Sequence, residues 1–156
     1  MFRKMRRIKQ QLPNEECIKI LEEEPRGILS VLGDNGYPYG MPMDYVYNDG
    51  KIIFHSALEG HTSDSIKNYD KVSFCVLNKG QKVENDWYYI FKSVIVFGRI
   101  KEVTDEEERL QKLRILGNKY FPSEEYTEDE INKFFERTLV LEIEIEHLTG
   151  KIVTEK

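Results

Sequence analysis

The chain is poor in the residues on which metal and thiol chemistry depend. Its 156 residues include 2 cysteines and 3 histidines. Cys17 falls in a helical pattern and Cys75 in a strand pattern. No disulfide framework or Cys–His nucleophile is visible, and both read as free thiols in a reducing compartment. His55 and His61 have no cysteine or third histidine nearby, and His147 ends a strand pattern, so no metal site is expected. No apolar run approaches the ~18 residues that a membrane span needs. The serines lack a Gly-x-Ser-x-Gly elbow, and Gly27 and Gly33 form no Gly-x-Gly-x-x-Gly fingerprint. The acidic runs Glu22–Glu24 and Asp105–Glu108 read as helix ends and solvated faces rather than as an acid–base pair. No catalytic side chain is assigned.

What is present describes a globular chain. A hydrophobic content of 40%, with 9 Tyr and 8 Phe, supports a packed core, and the length fits one domain over residues 1–156. The net charge is −5, yet the first ten residues hold five basic side chains and no acid, leaving −10 on the rest. An acidic body argues against nucleic acid as a partner. The basic arm, residues 1–12, is either a solvated tail or a segment that folds against a phosphate or a second subunit. It lacks the apolar stretch of a signal peptide, so a cytoplasmic location is expected.

Patterning predicts six strands. Arg26–Leu32, Met41–Tyr47 and Lys51–Ser56 are joined by Gly turns at Asp34-Asn35-Gly36 and Asn48-Asp49-Gly50, as in an antiparallel meander. Val72–Val76 alternates, Trp87–Val103 is long enough to wrap a barrel, and Leu139–Glu146 alternates apolar with acidic residues, which predicts an acidic outer face. Asn78–Asp86 reads as a loop. Helices are expected at Asn14–Glu24 with Asn14 as N-cap, at Thr62–Tyr69, and twice within residues 104–137. Those two open with capping boxes at Thr104–Glu107 and Thr127–Glu130 and carry Leu110, Leu113, Leu116, Ile131, Phe134 and Phe135 inward. The result is an α+β domain built on a closed or nearly closed antiparallel barrel, with a helical insertion before the last strand.

The run Ile52 to Ile66 is the most informative stretch. It reads as a strand, a loop of small polar residues and the first turn of a helix. The first N–H groups of a helix lack intrahelical partners and carry partial positive charge, so a phosphate can sit there, with hydroxyls from Ser56, Thr62 and Ser63 nearby. Gly60 lets backbone and ligand approach.

This run, Phe54-His55-Ser56-Ala57 through Gly60-His61, also resembles the flavin-binding segment of the FMN-binding split β-barrel proteins. The resemblance is strongest to the pyridoxamine 5′-phosphate oxidase-related branch that includes the Nim-type nitroimidazole-resistance proteins. Met5-Arg6-Arg7, Tyr37 to Met43 and Lys92 to Gly98 carry it further. It implies a six-stranded split β-barrel with flanking helices, usually a homodimer with FMN at the subunit interface. It implies that backbone at Met41, Pro42, Met43 and Asp44 meets the flavin ring, with the Met side chains packing on the ring or serving as barrel core. His55, Ser56, Ala57, Gly60, His61, Thr62 and Ser63 would also bind the cofactor, with its phosphate at Gly60 to Ser63. Ser93 and Val94 would lie where a partner subunit reaches the flavin, and Trp87 and Tyr88 would close the pocket. Many relatives have a lysine after Gly60-His61, where this chain has Thr62. A charge-assisted hydrogen bond worth roughly 1.5–3 kcal/mol is absent there, and the substitutes the sequence offers are His61 for part of the charge and Arg6 or Arg7 for the rest. The oxidases' Arg- and His-bearing substrate segment is also missing, so pyridoxamine phosphate is not the expected substrate. The activity implied is an FMN-dependent oxidoreductase, passing electrons from NAD(P)H to a small acceptor such as a nitroaromatic or quinone. A non-catalytic flavin-binding or redox-sensing protein, and a haem-binding split barrel using His55 or His61, are the alternatives.

Overall fold

The computed structural model describes residues 1–154. After a short 3₁₀ turn at Ile8–Gln10 come helix α1 (Asn14–Glu23), strands β1 (Arg26–Leu32), β2 (Pro38–Asp44), β3 (Val46–Asn48) and β4 (Lys51–Ala57), and helix α2 (His61–Asn68). Strands β5 (Lys71–Leu77), β6 (Gln81–Lys82) and β7 (Tyr89–Glu102) follow, then helices α3 (Glu106–Tyr120) and α4 (Glu124–Phe134), a 3₁₀ turn at Phe135–Arg137 and strand β8 (Thr138–Val153). The six expected strands are all present. One of them is split at Tyr45 into β2 and β3, and the expected loop at 78–86 holds the two-residue β6.

The sheet runs β2-β1-β5-β7-β8-β4-β3, with β6 paired to β7. Every pairing is antiparallel. β2 and β3 are the two ends of this path, yet only Tyr45 separates them in sequence. The sheet therefore curls until the chain itself joins its edges. Both hairpins of the expected meander form, but its middle strand is divided: β1 pairs with β2, while β4 pairs with β3 and β8 and not with β2.

The interior follows the period-2 alternation of the strands. Leu29, Val31, Phe54, Phe74, Val76, Val94, Val96, Leu141 and Ile143 fill the barrel, with Cys17 and Leu21 of α1 closing one end. β7 and β8 are long enough to bend around this core, and their register slips between Phe97 and Gly98. A Cβ on Gly98 would run into the Glu144 carbonyl, so only glycine lets the two backbones close there. A second cluster lies outside the barrel, where Ile53, Val103 and Val140 meet Leu113 of α3 and Ile131 of α4.

Three helix starts differ from expectation. α1 begins at Asn14 itself, with Pro13 at the cap position and no side-chain cap. α3 is capped by Asp105, whose carboxylate accepts from the Glu108 N–H at 2.9 Å, one residue beyond Thr104. α4 is capped by Ser123, which accepts from the Tyr126 N–H at 3.1 Å. Thr127 is instead a buried contact between helices, its hydroxyl 3.0 Å from Asn118 Oδ1 and its methyl filling the space left by Gly117.

The acidic outer face expected for the last strand is also corrected at one residue. Glu142 is fully buried beneath α3. Lys51 and Lys101 reach its Oε1 at 3.0 and 3.1 Å, and Lys112 of α3 reaches Oε2 at 2.6 Å. Burial pushes this carboxyl up, but the three ammonium groups outweigh it and hold it down at about 2. Because the folded value lies below the ordinary 4.5, the stabilisation is complete above pH 4.5 and is lost as pH falls toward 2. Glu142→Gln should cost about 2–3 kcal/mol near neutral pH, allowing for water on the lysines. Urea denaturation as a function of pH should show a smaller fall in stability between pH 4.5 and 2 for the variant than for the natural chain.

Candidate functional site

The site grows out of the corner at Tyr45. The β1–β2 ladder pairs Arg26 with Asp44, so the next rung would set Pro25 against Tyr45. Proline has no N–H to donate. The hydroxyl of Tyr120, from the end of α3, takes that rung instead. It accepts the Tyr45 N–H at 2.8 Å and lies 2.5 Å from both the Tyr45 and the Pro25 carbonyl oxygens. The Tyr45 ring is buried edge-on to Phe74, and burial pushes its phenol well above the usual range.

Beyond this corner β2 and β4 part company. Continuing the β3–β4 register, in which Val46 faces Ile53, would set Asp44 against His55 and Pro42 against Ala57. Those pairs are not formed. β2 is paired only to β1, and on that side β4 is paired only through Ile53. The barrel is thus split by a wedge between two strand edges that carry unpaired N–H and C=O groups. A cleft of about 390 Å³ opens there, lined by Arg26, Pro42, Met43, Asp44 and His55.

α2 begins at the far end of the wedge. Gly60 precedes it at φ +141°, a backbone conformation that favours glycine, and no side chain caps the helix. The space around a Cβ at Gly60 is open, so the glycine is required by its backbone angle rather than by a close neighbour. The Asp64 N–H is bonded to the Gly60 carbonyl, so the first hydrogen-bonded turn of α2 opens at Gly60. The Thr62 hydroxyl lies 2.7 Å from the Met41 sulfur, and the His61 ring stacks on Tyr39 at 4.4 Å with its Nε2 3.7 Å from an Asp34 oxygen. These contacts tie the helix start to the open edge of β2.

Most of the residues singled out in the sequence therefore converge on the split. Pro42, Asp44, His55 and Ala57 turn outward at its rim, and Ser56 is half-buried between them. Met41 and Met43 turn inward and pack against the barrel core. Ser63 is corrected: its hydroxyl is buried and donates to the Gly60 carbonyl at 2.9 Å, leaving only its backbone to face a ligand. Val94 is also corrected, because its side chain lies in its own barrel core. Ser93 points outward from β7, three strands from β2 along the sheet, or ~14 Å at ordinary strand spacing. A single chain does not bring it to the split. Trp87 is 76% exposed and lines neither cleft beside the split. Arg6 and Arg7 are exposed, while Phe2 of the same arm stacks on His147 at 4.6 Å. Cys17 and Cys75 are free, and burial pushes both thiols up, away from the reactive thiolate form.

A second and larger cavity of about 480 Å³ leaves no local mark in the sequence. It adjoins the first through Asp44 and His55 and lies between the outer face of β4 and helices α3 and α4. Leu113, Leu116, Phe121, Ile131, Phe134 and Phe135 provide much of its wall. The capped amphipathic helices were visible in sequence. Their distance from β4 was not, because it depends on side chains more than 50 residues apart. Among the described residues no three His, Cys, Asp or Glu side chains are grouped to hold a metal ion, and no helix is long and apolar enough to cross a membrane.

A split antiparallel barrel with an uncapped helix start at the split defines a class of protein, and comparison with known proteins supplies the family. The pyridoxamine 5′-phosphate oxidase family model matches residues 13–152, and the chain belongs to that family. Solved structures with the same fold include one described as a 5-nitroimidazole antibiotic resistance protein from Bacteroides thetaiotaomicron, at 18% identity and TM-score 0.76 over 91% of this chain and 86% of that one. A FAD-binding protein from Mesorhizobium loti is 24% identical, with TM-score 0.71 over 93% of this chain and 98% of that one. A flavocytochrome from Azotobacter vinelandii is 20% identical, with TM-score 0.78 over 97% of this chain and 72% of that one. No curated protein sequence matches the chain.

Proposed function

We propose that the split holds FMN and that the protein is an FMN-dependent oxidoreductase carrying electrons from a reduced nicotinamide to a small acceptor. The observation that carries this reading is the wedge itself. Two open strand edges offer backbone donors and acceptors to the rim of a planar heterocycle, and an uncapped helix start lies at one end for a phosphate. In this reading the backbone of Met41–Asp44 and of His55–Ala57 orients the ring. The first-turn N–H groups of α2 hold the phosphate, and Met41 and Met43 form an apolar floor. FMN supplies the two-electron chemistry, so the protein needs no acid–base pair of its own, in keeping with the absence of one from the sequence. Family membership and the flavin-binding neighbours support the same cofactor class.

A homodimer completes the site. Ile28, Cys75 and Ile95 form one cross-strand row on the outer face of β1, β5 and β7, flanked by Leu77, Phe97 and the small residues Ser30, Ser73 and Ser93. Ile95 and Leu77 are 42% and 51% exposed there. An uncharged apolar face of this kind is what a second copy of the chain would cover, and Ser93 lies on it, placed to approach the second copy's flavin.

Flavin titration of the purified protein tests the proposal. FMN should bind at least tenfold more tightly than riboflavin, a gap of ~1.4 kcal/mol. Equal affinities would remove the phosphate site at α2. A Soret band in place of a flavin spectrum would assign the split to haem, through His55 or His61. Oxidation of NADH or NADPH coupled to reduction of a nitroaromatic or quinone separates the oxidoreductase from a flavin carrier without turnover.

The contact of Thr62 with Met41 supports reading position 62 as part of the phosphate end of the split. Thr62→Lys should therefore tighten FMN binding by up to about tenfold, less so as salt rises. No change at low salt, alone or with Arg6→Ala and Arg7→Ala, would mean that position 62 does not face the phosphate.

Ile95→Arg should convert the dimer to a monomer in sedimentation equilibrium with an unchanged circular dichroism spectrum. A natural chain that is already monomeric at micromolar concentration with flavin bound would sink the dimer.

A further inference from the structure

We infer that the 480 Å³ cavity between β4 and the α3–α4 pair is a binding site for a flat aromatic molecule bearing one acidic group, with Arg137 as its anchor. This names the acceptor class and rests on the flavin reading only for its role, because the walls are protein alone. The size falls within the ~300–1,000 Å³ of small-molecule sites. Phe121, Phe134 and Phe135 line this wall, and aromatic walls suit stacking against another ring.

Charge selects the rest of the ligand. Two carboxylates line the cavity, and both are answered from within the chain. Asp44 pairs with Arg26 at 2.7 Å, and Glu130 pairs with Lys133 at 3.0 Å. Arg137 also lines the cavity, its guanidinium 5.3 Å from the Phe134 ring, and has no carboxylate partner among the described residues. The mouth is therefore left with one uncompensated, bidentate-capable cation over an aromatic wall. His55 and Asp44 belong to both this cavity and the cleft of the split, so a ligand held here abuts the place proposed for the flavin ring.

The test is calorimetric titration with 4-nitrobenzoate and with uncharged nitrobenzene, on the protein with and without FMN. 4-Nitrobenzoate should bind the natural chain in both forms, at least tenfold more tightly than nitrobenzene. Arg137→Ala should abolish that preference and leave nitrobenzene affinity unchanged, and Arg137→Lys should keep part of it. Arg137 is exposed, so these variants are expected to fold. Phe134→Ala should weaken both ligands. The inference is overturned if Arg137→Ala binds 4-nitrobenzoate as tightly as the natural chain does, or if the two ligands bind alike. Binding without FMN, in a protein that then fails to take up FMN at all, would uphold the cavity and refute the flavin reading.

Discussion

One hydroxyl group, that of Tyr120, holds the point on which the site depends. At Tyr45 the chain leaves one sheet edge and joins the other. Pro25 cannot continue the ladder there, so the backbone of Tyr45 needs partners from elsewhere. Tyr120 satisfies it from the end of α3. With Tyr45 held toward β1, the strand before it follows β1 and the strand after it follows β4, and the wedge between β2 and β4 is the geometric remainder. A fully paired hairpin at this place would have closed the barrel and left no open edges.

That origin explains why much of the polarity of the candidate site is backbone. Beside the Arg26–Asp44 pair and His55, the split exposes the N–H and C=O groups of two strand edges. A strand edge presents donors and acceptors at fixed spacing, which suits the rim of a planar ring better than flexible side chains do. In the proposed flavin reading the weak point is the phosphate end. Asp34 lies beside His61, and no lysine follows it. Much of the local positive potential must therefore come from the helix start, worth ~0.3–1 kcal/mol at an exposed end.

The strands were legible in the sequence because each has one face in the barrel, and the alternation of Val72, Phe74 and Val76 or of Leu139, Leu141 and Ile143 records that directly. The run from Phe54 to Ile66 was legible because a strand, a glycine and a helix start leave local marks. What was not legible depends on α3 lying across the barrel. Glu142 reads as one of three solvated acids until Lys112 covers it, and Thr127 reads as a helix cap until Gly117 makes room for it. Tyr45 reads as mid-strand, since nothing local announces a hydroxyl arriving from 75 residues away. The cavity behind β4 has the same cause.

α3 thus joins stability to the site. Its middle is held to the barrel by Lys112 on Glu142. Its end carries Tyr120 at the Tyr45 corner, and Leu113, Leu116 and Gly117 between them line the cavity. Lys112 and Tyr120 are eight residues apart, about 12 Å along a helix, so a rigid helix transmits the position of the first to the second. The buried ion cluster is a costly way to hold a helix, since apolar residues of similar volume would serve for stability alone. Its charges bring something apolar packing lacks: lysines from β4, β7 and α3 meet on one carboxylate, and that pairing is satisfied in only one register of helix against barrel. Fixing that register fixes the height at which the Tyr120 hydroxyl meets the chain, and with it the width of the split.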